Sequence, residues 1–201
     1  MNVLAELSLG AGTALDVNDN DFAIGYSGAS SFTTIRQLVL GGFHGTPTPG
    51  ATGIVSTSGQ NAGGQSIHAL FDNGLMGLTD WLGVAIPANS VVGKYTYFGD
   101  VNLDGEVTGD DYTIIDSNLN TTPPEGLEWL SGDANLDGIV TGDDYTTIDS
   151  NLGLGTTNPL SPSAVGGGLT PSSLSAVPEP GSLSVLALGA ASLLARRRRR
   201  K

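Results

Sequence analysis

The sequence predicts an α+β fold in which a small strand-rich unit with one helix precedes two copies of a loop–helix motif. Over residues 1–98, β-branched and aromatic runs alternate with glycine-rich turns, which favours short strands. Two nearly identical stretches then follow, GDVNLDGEVTGDDY at 99–112 and GDANLDGIVTGDDY at 132–145. After residue 153 the chain is rich in Gly, Ser, Thr and Pro and then apolar, which predicts a disordered linker and a short C-terminal hydrophobic helix.

The N-terminal unit, expected at 1–98, begins with a predicted hairpin at 12–28. Its strands would be TALDV and FAIGYSG, and NDND between them has the composition of a turn. SSFTTIRQLVLGG predicts a helix that Ser30 or Ser31 caps and that two glycines end. The residues expected on its apolar face are Phe32, Ile35, Leu38 and Val39.

The rest of this unit is predicted from shorter patterns. Residues 41–66 are mostly Gly, Thr, Ser and Pro, which predicts a long irregular loop. SIHALF predicts a strand, and LMGLTDWLG predicts a short helix or turn. SVVGKYTYF at 90–98 alternates β-branched and aromatic residues and gives the clearest strand pattern in the chain.

Charge is distributed unevenly along the 201 residues. The formal net charge is −12, and six of the eight basic residues form the terminal run 196–201, so that only Arg36 and Lys94 precede it. Such an acidic body repels nucleic acid and anionic lipid and attracts cations, so we expect no nucleic-acid partner. The chain has no cysteine, which excludes disulfides and thiolate chemistry.

The two repeated stretches predict metal-binding loops. Counting from Asp100 as position 1, oxygen-bearing side chains recur at positions 1, 3, 5, 9 and 12, and a glycine stands at position 6. The second loop starts at Asp133 and repeats each of these features. The predicted ligands are Asp100, Asn102, Asp104, Glu106 through its carbonyl, Thr108 and Asp111, and in the second loop Asp133, Asn135, Asp137, Ile139 through its carbonyl, Thr141 and Asp144.

Calcium is the cation that this pattern indicates. It takes six to eight oxygen ligands at about 2.3–2.6 Å, and short side chains at alternate positions can turn inward around one ion. Each loop contributes three carboxylates that repel one another without a cation. We therefore expect two Ca²⁺ ions and calcium-dependent folding of residues 99–153. The alternative is a turn rich in Asp and Gly that binds no metal, and the matched repetition favours the metal site.

Each loop leads into a segment with helical spacing of apolar residues. The residues at i, i+3 and i+7 are Tyr112, Ile115 and Leu119, and then Tyr145, Ile148 and Leu152. These narrow faces predict that the two helices pack on each other and around Trp129. Because KYTYF before the first loop predicts a strand, each repeat corresponds to half of an EF-hand.

This arrangement resembles the type I dockerin domain, a duplicated calcium-loop-plus-helix module of secreted carbohydrate-active systems. The resemblance rests on GDVNLDGEVTGDDYTIIDSNL and GDANLDGIVTGDDYTTIDSNL, and it implies calcium binding and a cohesin-like protein partner. Cellulosomal members recognise cohesin through small hydroxylated residues at positions 10 and 11 and basic residues further along the helix. The corresponding pairs here are Gly109-Asp110 and Gly142-Asp143, followed by Ser117-Asn118 and Ser150-Asn151.

A second, shorter resemblance involves the segment before the repeats. TTIRQLVLGGFHG together with SVVGKYTYFGDVNLDG looks like the segment that precedes such repeats in large secreted proteins of planctomycete-type bacteria. It implies no catalytic role.

The segment at 177–201, after a predicted flexible linker at 154–176, has three parts. They are the motif Val177, Pro178, Glu179 and Pro180, an apolar run at 182–195, and the basic run at 196–201. As a helix the apolar run would span about 21 Å, less than a hydrocarbon core of about 30 Å. The positive-inside rule keeps the basic run cytoplasmic and places the acidic body outside.

This layout resembles the PEP-CTERM sorting signal. The resemblance implies recognition by an exosortase, a membrane protease-transpeptidase, with transient membrane insertion and export to the cell surface or extracellular matrix. The alternative is a short membrane anchor that persists. Because MNVLAELSLGAG at the start carries no basic residue and lacks the pattern of a secretory signal, we expect the sequence to be the C-terminal part of a longer protein or to start too late.

Three functions remain open at this level. The first is a non-catalytic calcium-binding module of an exported surface or matrix protein. The second is the attachment module of a polysaccharide-degrading enzyme of the glycoside hydrolase type, with its catalytic part upstream. The third is binding of extracellular polysaccharide by Trp81, Tyr95 and Tyr97, for which core packing is the alternative.

No catalytic constellation is recognisable, so we expect no enzyme activity. His44 and His68 lack partnered carboxylates in sequence and are expected to be structural. Asp16, Asn18 and Asn20 resemble the start of a calcium loop, but Asp21 stands where the glycine is needed, which predicts a turn instead.

Overall fold

The computed structural model describes residues 1–43 and 51–160. The strands in this part of the chain are β1 (Asn2–Leu4), β2 (Ala14–Asp16), β3 (Phe22–Gly25), β4 (Gly53–Val55), β5 (Ser66–Asp72), β6 (Asp80–Trp81), β7 (Val84–Ala85) and β8 (Ser90–Tyr97). The helices there are α1 (Phe32–Gly42), α2 (Thr57–Asn61), α3 (Asn73–Met76), α4 (Gly109–Asn118) and α5 (Asp144–Asn151), with a 3-10 turn at Trp129–Ser131. This mixture confirms the α+β class.

Several predictions concern residues outside these ranges. His44, the linker from residue 161 onward, the sorting motif and the C-terminal hydrophobic helix all lie outside the described residues. In the part that is described, no helix has both the length and the apolar character that crossing a membrane requires.

The main sheet has four strands in the order β1, β3, β8, β5. β1 runs parallel to β3, whereas β8 is antiparallel to both of its neighbours. Near the middle of β8, Gly93 lies opposite Phe22 and Leu70. A Cβ atom at Gly93 would come within 2.3 Å of the Phe22 ring, so glycine is needed for that ring to lie across the strand.

This topology confirms two predicted strands and corrects the predicted hairpin. β5 and β8 fall where SIHALF and SVVGKYTYF predict them. β2 and β3 are strands too, but β2 pairs in parallel with β4 and not with β3. Polar side chains at the end of β2 and just after it contact the chain beyond β4, since Asp16 Oδ2 accepts from Thr57 Oγ1 (2.6 Å) and Asn18 Oδ1 accepts from Ser58 Oγ (2.7 Å).

The predicted irregular region and the region after β5 contain more regular structure than expected. β4 and α2 both lie within residues 41–66, so the prediction of an irregular loop is wrong there. LMGLTDWLG contains the end of α3 and the first strand of the small β6–β7 hairpin. Strands of two or three residues are too short for hydrophobic alternation to reveal them.

α1 has the buried face that its spacing predicts. Phe32, Ile35 and Val39 are buried, and Leu38 is partly buried. Ser31 is the N-cap residue but its side chain makes no capping hydrogen bond, whereas Ser30 Oγ accepts from Phe32 N–H (3.1 Å). The helix packs against β4 and β5. The Ser30 hydroxyl holds its first turn.

One continuous apolar core extends from the sheet into the repeats. The repeats, residues 99–153, contribute six buried side chains to this core: Val101, Leu103, Ile114, Trp129, Leu130 and Ala134. A second, smaller cluster lies between the repeats and is formed by Val107, Ile115, Val140 and Ile148. The boundary predicted at residue 98 thus lies within a shared core, and the sheet holds one side of the repeated module in place.

Candidate metal centre

In each loop the carboxylate at position 1 is held by the backbone of the same loop. Asp100 Oδ1 accepts from Asp104 N–H (3.0 Å) and Oδ2 from Gly105 N–H (2.9 Å). The second loop repeats both bonds at the same lengths, from Asp137 and Gly138 to Asp133. The turn depends on the glycines, whose φ angles are 91° and 94°, a region that other residues rarely adopt.

The carboxylate at position 12 closes each loop from the first turn of the following helix. Asp111 Oδ1 accepts from Val101 N–H (2.9 Å) and Oδ2 from Thr108 N–H (2.9 Å). Thr108 in turn caps α4, so that Asp111 and Thr108 form a capping box. Asp144 also closes the second loop, where its Oδ1 accepts from Asn135 N–H (3.1 Å) and its Oδ2 from Thr141 N–H (2.8 Å), but α5 begins at Asp144 itself and has no side-chain capping bond.

Positions 3 and 5 face each other within each loop. Asn102 Nδ2 donates to Asp104 Oδ2 (3.0 Å), and Asn102 Oδ1 accepts from Asp104 N–H (2.9 Å). Asn135 and Asp137 make the same pair of contacts at 3.4 and 2.9 Å. Positions 3 and 5 therefore have the same hydrogen-bonded arrangement in both loops.

Burial places these carboxylates in an unfavourable electrostatic setting. Burial, with the neighbouring Asp104 adding repulsion, raises the pKa of Asp100 to about 6. Burial, with repulsion from Asp100, raises the pKa of Asp111 to about 7, and burial raises that of Asp133 to about 6. A bound cation favours the ionised form of a carboxylate and would reverse these shifts.

The donor set fits calcium by its chemistry. Carboxylate, amide, hydroxyl and carbonyl oxygens are the ligands of a hard cation, and the loops offer no nitrogen or sulfur ligand. Across residues 1–43 and 51–160, no three His, Cys, Asp or Glu side chains form a compact metal cluster. In the first loop the Asp104 oxygens are turned toward Glu106 N–H and Asn102 Nδ2, so its three carboxylates do not converge on one point.

The two helices are joined by a reciprocal pair of hydrogen bonds. The Tyr112 hydroxyl donates to Asp149 on α5, and the Tyr145 hydroxyl donates to Asp116 on α4. The two tyrosine rings stack with centroids 6.0 Å apart and planes 17° apart. Together with Ile115 and Ile148 this confirms that the helices pack on each other.

Three details of the predicted helix packing are wrong. Leu119 and Leu152 are 40% and 56% exposed, because each stands just after the last helical turn. Trp129 does not lie between the helices but belongs to the main core, with its ring beside Phe98. Its Nε1 donates to the Asp100 carbonyl (2.7 Å), which ties the sheet side of the core to the start of the first loop.

The other candidate residues have structural roles. His68 is buried between Phe22 and Tyr95, its Nε2 lies 3.2 Å from the Asn20 carbonyl, and burial lowers its pKa to about 4. Trp81 and Tyr95 are 2% and 7% exposed, so they pack in the core and present no face for sugar stacking, and Tyr97 is partly buried against the cluster between the repeats.

Sequence reasoning missed three residues beside the loops. Arg36 Nη2 donates to the Leu136 carbonyl in the second loop (2.6 Å). Lys94 is fully buried in β8, and its Nζ donates to the Leu160 carbonyl (2.6 Å). Leu160 N–H in turn donates to the Gly105 carbonyl (3.1 Å). Only Arg36 and Lys94 carried a signal in the sequence, because they are the two basic residues before the terminal run.

Taken together, the paired loops and their helices define a duplicated loop–helix module whose oxygen donors suit a hard cation. Residues 98–153 match the family model of the dockerin type I domain, and residues 176–200 match that of the PEP-CTERM protein-sorting motif. The chain therefore carries a dockerin type I domain followed by a PEP-CTERM signal for export and cell-surface sorting, which confirms both resemblances. No curated protein and no solved structure matches the chain.

Proposed function

We propose that residues 99–153 bind two calcium ions, one in each loop, and act as a non-catalytic attachment module of an exported surface or extracellular-matrix protein. The observation that carries this proposal is the matched geometry of the two loops, in which Asp100 and Asp133 accept the same two backbone hydrogen bonds. Buried carboxylates are costly unless they are hydrogen-bonded and paired with a cation, and both loops bury them in the same network.

The ions would be held by the twelve predicted positions. These are the side chains of Asp100, Asn102, Asp104, Thr108 and Asp111 with the Glu106 carbonyl, and the side chains of Asp133, Asn135, Asp137, Thr141 and Asp144 with the Ile139 carbonyl. When bound, calcium supplies the positive charge that offsets repulsion among the carboxylates of each loop. The chain itself supplies the turn, the capping box and the packed helices that keep these oxygens in register.

The partner that we propose is a cohesin-like protein, docked on α4 and α5. The matching family model supports this, since dockerins typically bind cohesins. The exposed Asp110 and Asp143 stand where cellulosomal members carry small hydroxylated residues. We therefore propose that the partner differs from a cellulosomal cohesin and presents a complementary basic surface.

Sorting of the protein would follow from the C-terminal signal. We propose that an exosortase-type enzyme recognises Val177, Pro178, Glu179 and Pro180 while the apolar run is transiently inserted in the inner membrane. The basic run would remain on the cytoplasmic side at this stage.

A second function, attachment of a polysaccharide-degrading enzyme, is supported by the dockerin match, because this resemblance is to modules of carbohydrate-active systems. The catalytic part would then be encoded upstream of Met1. Sequencing the upstream region distinguishes the two proposals: paired acidic residues in a glycoside hydrolase framework support the enzyme, and adhesive repeats support the surface protein.

Calcium titration by calorimetry tests the proposed function. The wild-type chain should bind two equivalents of calcium in the millimolar range or tighter, with a rise in helicity. The double variant Asp104→Ala with Asp137→Ala should lose both binding events and stay poorly ordered in the repeats. The matched control, Asp110→Ala with Asp143→Ala, removes the same charge from exposed neighbours and should keep both. A flat calorimetric trace for the wild type contradicts the proposal.

A further inference from the structure

The body of this chain has two basic side chains, and each contacts one side of the repeated module. Arg36 reaches the Leu136 carbonyl, a neutral backbone group at position 4 of the second loop. Lys94 lies in β8, the strand that leads directly into the first loop, and its side chain is completely buried. A buried ammonium group is costly unless anionic or dipolar groups compensate it, so its surroundings indicate what it does.

The ammonium group of Lys94 contacts the Leu160 carbonyl, and the charges of Asp100 and Asp104 in the first loop and of Asp21 act on it. Burial lowers the pKa of Lys94, while the charges of Asp100, Asp21 and Asp104 raise it. The effect is mutual, because the charge of Lys94 acts to lower the pKa of Asp100. The ammonium also donates to Leu160, which is bonded to Gly105 at position 6 of the same loop. Lys94 is thus linked to the loop by charge and by a chain of two hydrogen bonds.

The second loop has no equivalent of this lysine. Lys94 precedes Asp100 by six residues, and the residue that precedes Asp133 by six is Leu127. The segment after α5 also contacts the first loop, where Gly153 N–H donates to the Val107 carbonyl (2.9 Å) and Val107 N–H to the Leu154 carbonyl (2.9 Å). Two loops of nearly identical sequence are therefore placed in different electrostatic surroundings.

We infer that Lys94 is an internal counter-cation of the first loop, which stabilises that loop without calcium and lowers its affinity for the ion. The inference rests on the proposed function, that both loops bind calcium. An ion that enters the first loop would lie among carboxylates on which the charge of Lys94 already acts, and the two cations repel each other strongly where water is excluded. Without calcium the same ammonium group offsets part of the repulsion among the carboxylates.

Substitution of Lys94 separates its charge from its hydrogen bond. Lys94→Met removes both, whereas Lys94→Gln keeps a donor toward Leu160 but carries no charge. The measurement is a calcium titration of the full-length chain, monitored by the NMR signals of the Gly105 and Gly138 amides. Each of these amides donates to the position 1 carboxylate of its own loop (2.9 Å), so each reports one loop.

Both variants should bind calcium in the first loop about three- to tenfold more tightly, as read from the titration midpoint of the Gly105 amide. The midpoint of the Gly138 amide, which reports the second loop, should stay unchanged. In chelator, both should melt at a lower temperature than the wild type. Arg36→Met is the matched control: it changes the net charge by the same amount and should leave the Gly105 midpoint unchanged.

Three outcomes would overturn the inference. The first is an unchanged or weaker Gly105 midpoint in both Lys94 variants. The second is an effect of Lys94→Met that Lys94→Gln does not reproduce, which would mean that the hydrogen bond alone matters. The third is an equal shift at Gly138. If neither amide of the wild type responds to calcium, the proposed function fails as well, and that result is distinguishable from the other three. If Lys94→Met fails to fold in chelator, Lys94→Gln still decides the question.

Discussion

The sheet half of the molecule, residues 1–98, and the repeat half, residues 99–153, bury different kinds of chemistry. The largest fully buried side chains of the sheet half include Phe22, Phe71 and Trp81, and its one described histidine is held neutral. The fully buried polar groups of the repeat half are four carboxylates, Asp100, Asp111, Asp133 and Asp144. Both halves remove apolar surface from water, and the repeat half adds four buried carboxylates whose charge a cation would offset.

The comparison shows why two halves that share one core are expected to respond differently to calcium and pH. The two halves are continuous through residues such as Val101 and Trp129. Yet a calcium ion would act directly only on the loops, while protons act on the loop carboxylates and, in the sheet half, on His68. Variants and conditions that act on one half should therefore reveal how far the other follows.

The largest effect is expected from Phe22→Ala in the sheet half. The Phe22 side chain is 1% exposed and lies across Gly93, so its removal leaves a cavity that the strand cannot close. We expect the free energy of unfolding to fall by about 3–5 kcal/mol, measured by urea denaturation. The loss should be the same in calcium and in chelator.

Val3→Ala is the control for this prediction, because Val3 is 43% exposed on the edge strand β1 and should change stability by less than about 0.5 kcal/mol. Full recovery of the Phe22→Ala loss by added calcium would contradict the separation of the two halves.

Ile148→Ala tests the repeat half and should have the next largest effect. Ile148 is completely buried in the small cluster between the repeats, where it packs with Ile115. We expect a loss of about 2–4 kcal/mol, together with faster amide exchange in α4 and α5 than in β8. Leu152→Ala, at a residue that is 56% exposed, is the matched control and should be nearly silent. Equal loss of protection in β8 would show that the halves unfold as one.

The pH dependence should have opposite sign in the two halves. His68 has a folded pKa of about 4, below its ordinary 6.5, because burial favours the neutral ring. Its contribution is complete above pH 6.5 and is lost as the pH falls toward 4, at a cost of up to about 3 kcal/mol. Asp111 has a folded pKa raised to about 7, so in chelator the repeat half should gain stability as the pH falls below 7.

Melting curves at pH 7, 5.5 and 4 check this prediction. In saturating calcium the midpoint should fall with acidification, and His68→Gln should reduce the fall. In chelator, amide exchange in α4 should slow between pH 7 and 5.5 after correction for the intrinsic exchange rate. A midpoint in calcium that does not change over this range contradicts the assignment to His68.

The elements that the sequence predicts well are those with a long, regular pattern. β5, β8 and α1 have enough residues for hydrophobic spacing to define them. The hairpin at 12–28 was wrong because strand pairing depends on distant partners, here β4 and β8, and not on the turn composition alone. Asp21 shows the same limit, since its bonds to Trp81 Nε1 (2.8 Å) and Tyr95 N–H (2.9 Å) come from far along the chain.

The candidate site was predictable for a different reason. Its residues lie within two runs of twelve positions, so their spacing alone brings Asp100 close to Gly105 and Asp111 close to Val101. The residues around the loops were not predictable in this way. Arg36 is far from Leu136 in sequence, and Lys94 is far from Leu160, so only the tertiary fold brings them together.

The contact of residues 153–160 with the first loop has a mechanical consequence. A pull that arrives through residue 161 loads the Leu160–Gly105 bond and the Lys94 contact first, and the Leu154–Val107 bonds next. Helix α5 bears the load only after these have parted. A force applied through the C-terminal segment would therefore load the first loop before the second. The force that the module withstands would then depend on the calcium concentration around it.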